Sequence, residues 1–152
     1  MRQEVKYKNY HAVMGFRPEY INSFVPSHEN EKLYDTVKDH LFLPKDDWFS
    51  IFKNEKLIMF GGNTKWWDGR CSLWTVYGAD LSVRDWAFIY SVTDDYIKFL
   101  RSNGFWRIEA SAKTTKLEYC KFLDRLGFNK EGLMRNYSPF REDCYLYSMV
   151  YP

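Results

Sequence analysis

Residues 105–128, FWRIEASAKTTKLEYCKFLDRLGF, constrain the fold more than any other part of the chain. Phe105, Trp106, Ile108 and Ala110 mix aromatic and aliphatic side chains in a short run, as strands do. Thr114 and Thr115 are candidate N-caps, since a hydroxyl there can accept from an otherwise unpaired first-turn amide. Leu117, Cys120, Leu123 and Leu126 then recur every three residues, and Phe122 widens the apolar stripe. Gly127 suits the left-handed position that ends a helix. The pattern predicts a strand, a short turn and an amphipathic helix stopped at Leu126-Gly127-Phe128.

Similar punctuation organises the rest. Residues 4–10 read as a first strand with Val5, Tyr7 and Asn9 on one face, and residues 19–25 as a short helix after Pro18. A second helix is expected over 29–42, with Leu33, Tyr34, Val37 and Leu41 on one side. Residues 48–53 and 56–60 form a hairpin about Asn54-Glu55, with Gly61-Gly62 permitting a bulge or bend. Asp68-Gly69 is the next turn, and residues 70–77 complete a three-strand meander. Asp80 or Ser82 caps a long helix over 83–102, ended by Asn103-Gly104. Residues 132–136 and 144–151 read as a final strand pair. A meander followed by strand–helix–strand units means an α/β chain, a mixed central sheet with helices on both faces.

At 152 residues the chain is expected to form a single domain over 1–152. Six Trp, twelve Tyr and twelve Phe make it unusually aromatic, and their strand-like alternation points to a core packed with rings. The net charge of +2, from 22 basic and 20 acidic residues, argues against a nucleic-acid footprint. One feature points the other way: Trp66-Trp67, beside Lys65 and Arg70, reads either as a stacking surface or as a packed sheet edge. Cys71, Cys120 and Cys144 are widely spaced in apolar segments and read as buried free thiols, which suits a reducing compartment. His11, His28 and His40 lie in separate segments without metal-ligand spacing, so no metal site is expected. The N-terminus has no apolar signal core and no stretch is long enough to span a membrane, so a cytoplasmic location is expected.

The element order resembles that of the GCN5-related N-acetyltransferases (GNAT family) over nearly the whole chain. The most specific pieces are Phe122-Leu123-Asp124-Arg125-Leu126-Gly127-Phe128, similar to the family's helix ending, and the glycine-bearing hairpin through Gly61-Gly62. The chain looks closest to small divergent members encoded by phages, which would place it in the host cytoplasm or the virion.

The resemblance implies acetyl-CoA as cosubstrate and an amine as acceptor. In this family two neighbouring strands splay, here 70–77 and 106–112, and the pantetheine arm fills the gap. Backbone groups left unpaired by the splay are then satisfied by the cofactor. This places cofactor contacts at Val76 and Tyr77, with the pyrophosphate on Ser82, Val83 and Arg84 at the start of the next helix. The family's glycine-rich phosphate loop is missing, and Asp80 and Asp85 add negative charge there. Acyl transfer to an amine needs a base and an acid. Glu109 is the nearest carboxylate for the base; its other reading is a strand residue that faces solvent or pairs with Arg107 or Lys113. The position of the family's usual acid, four residues before the helix-ending glycine, is Leu123; Tyr119, one turn earlier, is the substitute. The alternative is a catalytically silent phage protein on the same fold, serving as a virion component or binding host machinery. A protein partner or a second copy of the chain is left open.

Overall fold

The computed structural model describes residues 4–152, except for the side chains of Glu29, Leu33, Thr36, Val37 and His40. The expectations for Leu33 and Val37 on a helix face, and for His40, therefore lie outside the described residues. The strands are β1 (Glu4–Tyr7), β2 (Tyr10–Phe16), β3 (Lys45–Lys53), β4 (Lys56–Trp67), β5 (Arg70–Tyr77), β6 (Arg107–Lys113), β7 (Asn129–Met134) and β8 (Cys144–Val150). The helices are α1 (His28–Val37), α2 (Val83–Ser102) and α3 (Leu117–Leu126), with 3₁₀ turns at Pro18–Ser23 and Lys38–His40. The strands hydrogen-bond in the order β1-β2-β3-β4-β5-β6-β8-β7. The pairing of β5 with β6 is parallel, whereas β1·β2, β2·β3, β3·β4, β6·β8 and β7·β8 are antiparallel, so the sheet is mixed as expected. Contacts divide the chain into two compact units.

The first unit holds the chain up to Asn63 together with Trp74–Asp95. Its core is built of rings: Phe16, Phe24, Phe52 and Phe60 are buried with Leu41, Leu57 and Val76. Phe16 and Phe24 pack on Phe60 at ring-centroid distances of 5.0 and 5.4 Å, and Trp48 meets Trp74 edge-on at 4.4 Å. Offset and edge contacts of this kind add to the simple burial of apolar area.

Three expectations are corrected here. The first strand ends at Tyr7, and a second one, Tyr10–Phe16, follows a tight turn in which Lys8 takes φ 54°. The helix expected over 29–42 ends at Val37 and tightens into a 3₁₀ turn. Gly61-Gly62 does not bend the chain out of the strand: β4 runs through it to Trp67, and the irregularity against β3 lies where Ile51 pairs with Met59 but Phe52 with Leu57. The glycines are needed for close approach, because a Cβ on Gly61 would lie 2.7 Å from the Trp74 carbonyl and one on Gly62 2.6 Å from Trp48. The Asn54-Glu55 hairpin is as expected, with both residues at positive φ.

The second unit holds Thr64–Leu73 and Tyr96–Pro152. Ile108, Tyr147, Tyr96 and Leu100 form part of its buried interior, and all three cysteines are buried and unpaired. Helix α3 ends as expected: Gly127 takes φ 95°, its N–H donates to Asp124, and the Phe128 N–H donates to Leu123. Its start differs from expectation. Lys116 is the N-cap and makes no side-chain cap bond, while the Thr114 N–H donates to Asp143. Leu117 at the first helical position is 63% exposed, so the buried stripe rests on Cys120 and Leu126.

Candidate functional site

In the first unit the residues expected to meet a cofactor lie along one continuous segment, from the end of β5 into α2. Val76 is buried in the ring core, so only its backbone is available. Tyr77 packs its ring on Trp86 at 4.9 Å. Its backbone is engaged: the Ser27 N–H donates to the Tyr77 carbonyl (2.9 Å), and the Tyr77 N–H donates to Asn30 Oδ1 (2.7 Å). The Ala79 N–H donates to the Val25 carbonyl (2.8 Å), and Pro26 faces Gly78 as an antiparallel bridge. The Gly78 N–H turns the other way, to Ile58 of β4 (2.7 Å).

Ser82 then caps α2 reciprocally. Its Oγ accepts from the Asp85 N–H (3.2 Å), and Asp85 Oδ2 accepts from the Ser82 N–H (2.8 Å). This accounts for two of the amides at the helix start. Among the described residues nothing accepts from the N–H groups of Val83 and Arg84, and the exposed Arg84 guanidinium carries no ion pair. Two unpartnered amides at the positive end of a 20-residue helix, beside the exposed Arg84 guanidinium, are groups that favour an anion.

The negative charge at this end is less than the sequence suggests. Asp85 is 2% exposed; it accepts from the Tyr10 hydroxyl and from Lys53 Nζ (2.9 Å). Burial alone would raise its carboxyl, but the hydrogen bonds from Tyr10, the Ser82 amide and Lys53 outweigh this and hold it below the usual range. The same bond to Asp85 raises the Tyr10 hydroxyl and, with Lys53, makes a neutralised cluster beneath the cap. Nothing in the sequence links Tyr10 or Lys53 to Asp85, and the separation of 75 residues between Tyr10 and Asp85 carries no local signal. Asp80, at φ 56°, is exposed.

In the second unit Glu109 is 4% exposed on β6. Arg70 grips it with two bonds of 2.9 and 3.0 Å, and Arg107 Nε donates to it as well. Arg107 in turn pairs bidentately with Glu131, which accepts from Ser148. Burial pushes the Glu109 carboxyl up, but the two guanidinium groups prevail and lower it. Hydrogen bonds from Arg107 and Ser148 lower Glu131 to about 2. The expected ion pair with Arg107 is present, and Arg70 is a further partner that the sequence reading missed. The parallel pairing of β5 with β6 joins residues 70–72 to 107–109, so Glu109 faces Ser72 near the start of β5. Tyr119 is half-buried on α3, and Leu123 likewise.

Trp66 and Trp67 are 55% and 54% exposed, an open surface and not a packed edge. The cations beside them are engaged: Lys65 with Asp68, and Arg70 both with Glu109 and over the Trp67 ring at 4.3 Å. His11 stacks on Phe52 and His28 lies 3.4 Å from Glu31. Among the described residues no group of three His, Cys, Asp or Glu side chains can hold a metal ion, and no helix is long and apolar enough to cross a membrane.

No protein-family model and no curated protein matches the sequence. Solved structures do. The ribosomal-protein-S5-alanine acetyltransferase of Vibrio fischeri superposes with a TM-score of 0.67 at 15% identity, covering 97% of this chain and 96% of that one. A GNAT-family acetyltransferase from Bacillus anthracis gives 0.68 at 12% identity, over 97% and 98%. Ard1 from Thermoplasma volcanium gives 0.69 at 14%, over 92% and 99%. The fold is that of the GNAT acetyltransferases. At these identities the likeness concerns the fold, and the chemistry has to be argued from this chain's own residues.

Proposed function

We propose that the chain is an acyl-CoA-dependent N-acyltransferase working as one domain, with the cofactor's diphosphate on the first turn of α2. The observation that carries this reading is the pair of unpartnered amides at Val83 and Arg84, held open by the Ser82–Asp85 cap on a GNAT fold. The fit is good for the diphosphate: amides, helix dipole and the Arg84 guanidinium all favour an anion, and Lys53 neutralises Asp85. Acetyl-CoA, when bound, supplies an activated thioester for an amine acceptor. The two candidates for proton transfer carry unequal weight. A carboxylate already bound to two guanidinium groups takes up a proton weakly, so Glu109 is assigned to holding Arg70 and Arg107 in place. Tyr119, half-buried on α3, is the one of the two whose hydroxyl carries a proton to give. With no strong base among these groups, catalysis rests mainly on positioning and on acceptors that arrive as the neutral amine.

Thermal unfolding with acetyl-CoA tests the proposal. A ligand at a hundredfold excess over its Kd stabilises by about 2.7 kcal/mol, which raises Tm by roughly 5–10 °C in a chain of this size. Arg84→Glu is expected to abolish most of that rise. No rise at millimolar acetyl-CoA overturns the proposal and leaves the GNAT fold without the activity.

A further inference from the structure

The end of β5 is already paired with the protein's own chain. The bonds from Ser27 to Tyr77 and from Ala79 to Val25 frame the Pro26–Gly78 bridge, so residues 25–27 run antiparallel to residues 77–79. Asn30 Oδ1 takes the one Tyr77 donor that the bridge leaves over. The Gly78 N–H points toward β4, so by backbone alternation Tyr77 and Ala79 present their groups on the opposite edge. That edge is where an extended ligand with amide groups, such as a pantetheine arm, would add as a strand. One N–H and one C=O of Tyr77 cannot serve both partners. The seat of the segment is imperfect, because Ser27 Oγ is buried without a hydrogen-bond partner.

We propose that residues 25–27, clamped by Asn30 on the first turn of α1, form a self-strand that holds the cofactor edge of β5 closed and must swing away before acyl-CoA can lie along it. This rests on the reading of the α2 N-terminus as the diphosphate site. The closed and bound states compete for the same Tyr77 groups, so measured affinity falls with the fraction of molecules that are closed.

A disulfide lock tests it. Val25 and Ala79 flank the Pro26–Gly78 bridge and share the Ala79 N–H bond to the Val25 carbonyl; hydrogen-bonded antiparallel neighbours have Cα atoms about 5.5 Å apart, inside disulfide range. Calorimetry on Val25→Cys/Ala79→Cys is expected to show acetyl-CoA binding at least about tenfold weaker when oxidised than when reduced. Adenosine 5′-diphosphate, which carries the diphosphate and no pantetheine arm, should bind both forms equally. Asn30→Ala, which frees the Tyr77 N–H, should bind acetyl-CoA about fivefold tighter than the wild type. Equal acetyl-CoA affinity in the oxidised and reduced lock overturns the self-strand while leaving the cofactor site standing. Loss of adenosine diphosphate binding from every form, wild type included, overturns the site. A wild type that binds only the diphosphate, with Asn30→Ala gaining acetyl-CoA, supports the self-strand; an Asn30→Ala protein that gains nothing there overturns it.

Discussion

Asp85→Asn tests the cluster beneath the α2 cap. The carboxylate is 2% exposed and accepts from the Tyr10 hydroxyl, from the Ser82 amide at 2.8 Å and from Lys53 at 2.9 Å. Asparagine keeps the shape and one acceptor oxygen, which can still serve Ser82. It loses the charge and turns an NH₂ toward other donors. Hydrogen bonds to a buried charged group contribute about 1.5–3 kcal/mol each, and at least the one from Tyr10 is lost. Water reaches the Lys53 ammonium, so its lost partner adds nothing to this figure. The expected cost is about 2–3 kcal/mol, or a Tm lower by roughly 4–12 °C. Urea unfolding followed by circular dichroism measures it, with an unchanged m-value showing that only stability moved. The pH dependence fixes the sign. A carboxyl held below its usual range stabilises the fold above its unfolded pKa, about 4, and this is lost as pH falls through the folded value. The gap between wild type and Asp85→Asn should be full at pH 7 and close in acid. A gap below about 0.5 kcal/mol at pH 7, or one that widens in acid, refutes the reasoning.

Glu109→Gln should lower stability by about 2 kcal/mol or more, because Arg70 loses its carboxylate and Arg107 keeps only Glu131, and leave the shape of any pH–rate profile unchanged. Intact stability with a selectively lost alkaline limb would instead make Glu109 the base. Gly62→Ala should cost about 1–3 kcal/mol, because its Cβ would lie 2.6 Å from the Trp48 ring; a neutral result in urea unfolding would show that Trp48 can move freely. Cys71 is fully buried and burial pushes its thiol up to about 12, so a thiol reagent at pH 8 should reach it only after unfolding; rapid native labelling at Cys71, mapped by mass spectrometry, would contradict the packing.

What the sequence could disclose followed from local physics. Strand 70–77 and helix 83–102 have the expected bounds because Asp68-Gly69, Ser82 and Asn103-Gly104 punctuate them within a turn or two. Gly127 likewise announced the end of α3 by its backbone freedom. The misses have long-range or unmarked causes. Strand β2 went unread because Lys8, a residue with no turn preference, adopts the left-handed conformation that separates it from β1. Gly61-Gly62 looked like a bend because the groups that press on it, the Trp74 carbonyl and the Trp48 indole, are distant in sequence. In the candidate site the amides of Val83 and Arg84 were legible from the helix start alone. The partners of Asp85, Glu109 and Tyr77 were not, since Tyr10, Lys53, Arg70, Ser27 and Asn30 reach them only through the tertiary fold.

The central claim is that the first turn of α2 receives the diphosphate of coenzyme A. An amide-detected NMR titration of the ¹⁵N-labelled protein with coenzyme A addresses it residue by residue. The account predicts saturable shifts that are largest at Val83 and Arg84, with Ser82 close behind, and their loss in Arg84→Glu. Saturable binding whose shifts leave those amides unmoved, or no shifts at millimolar coenzyme A, would contradict it.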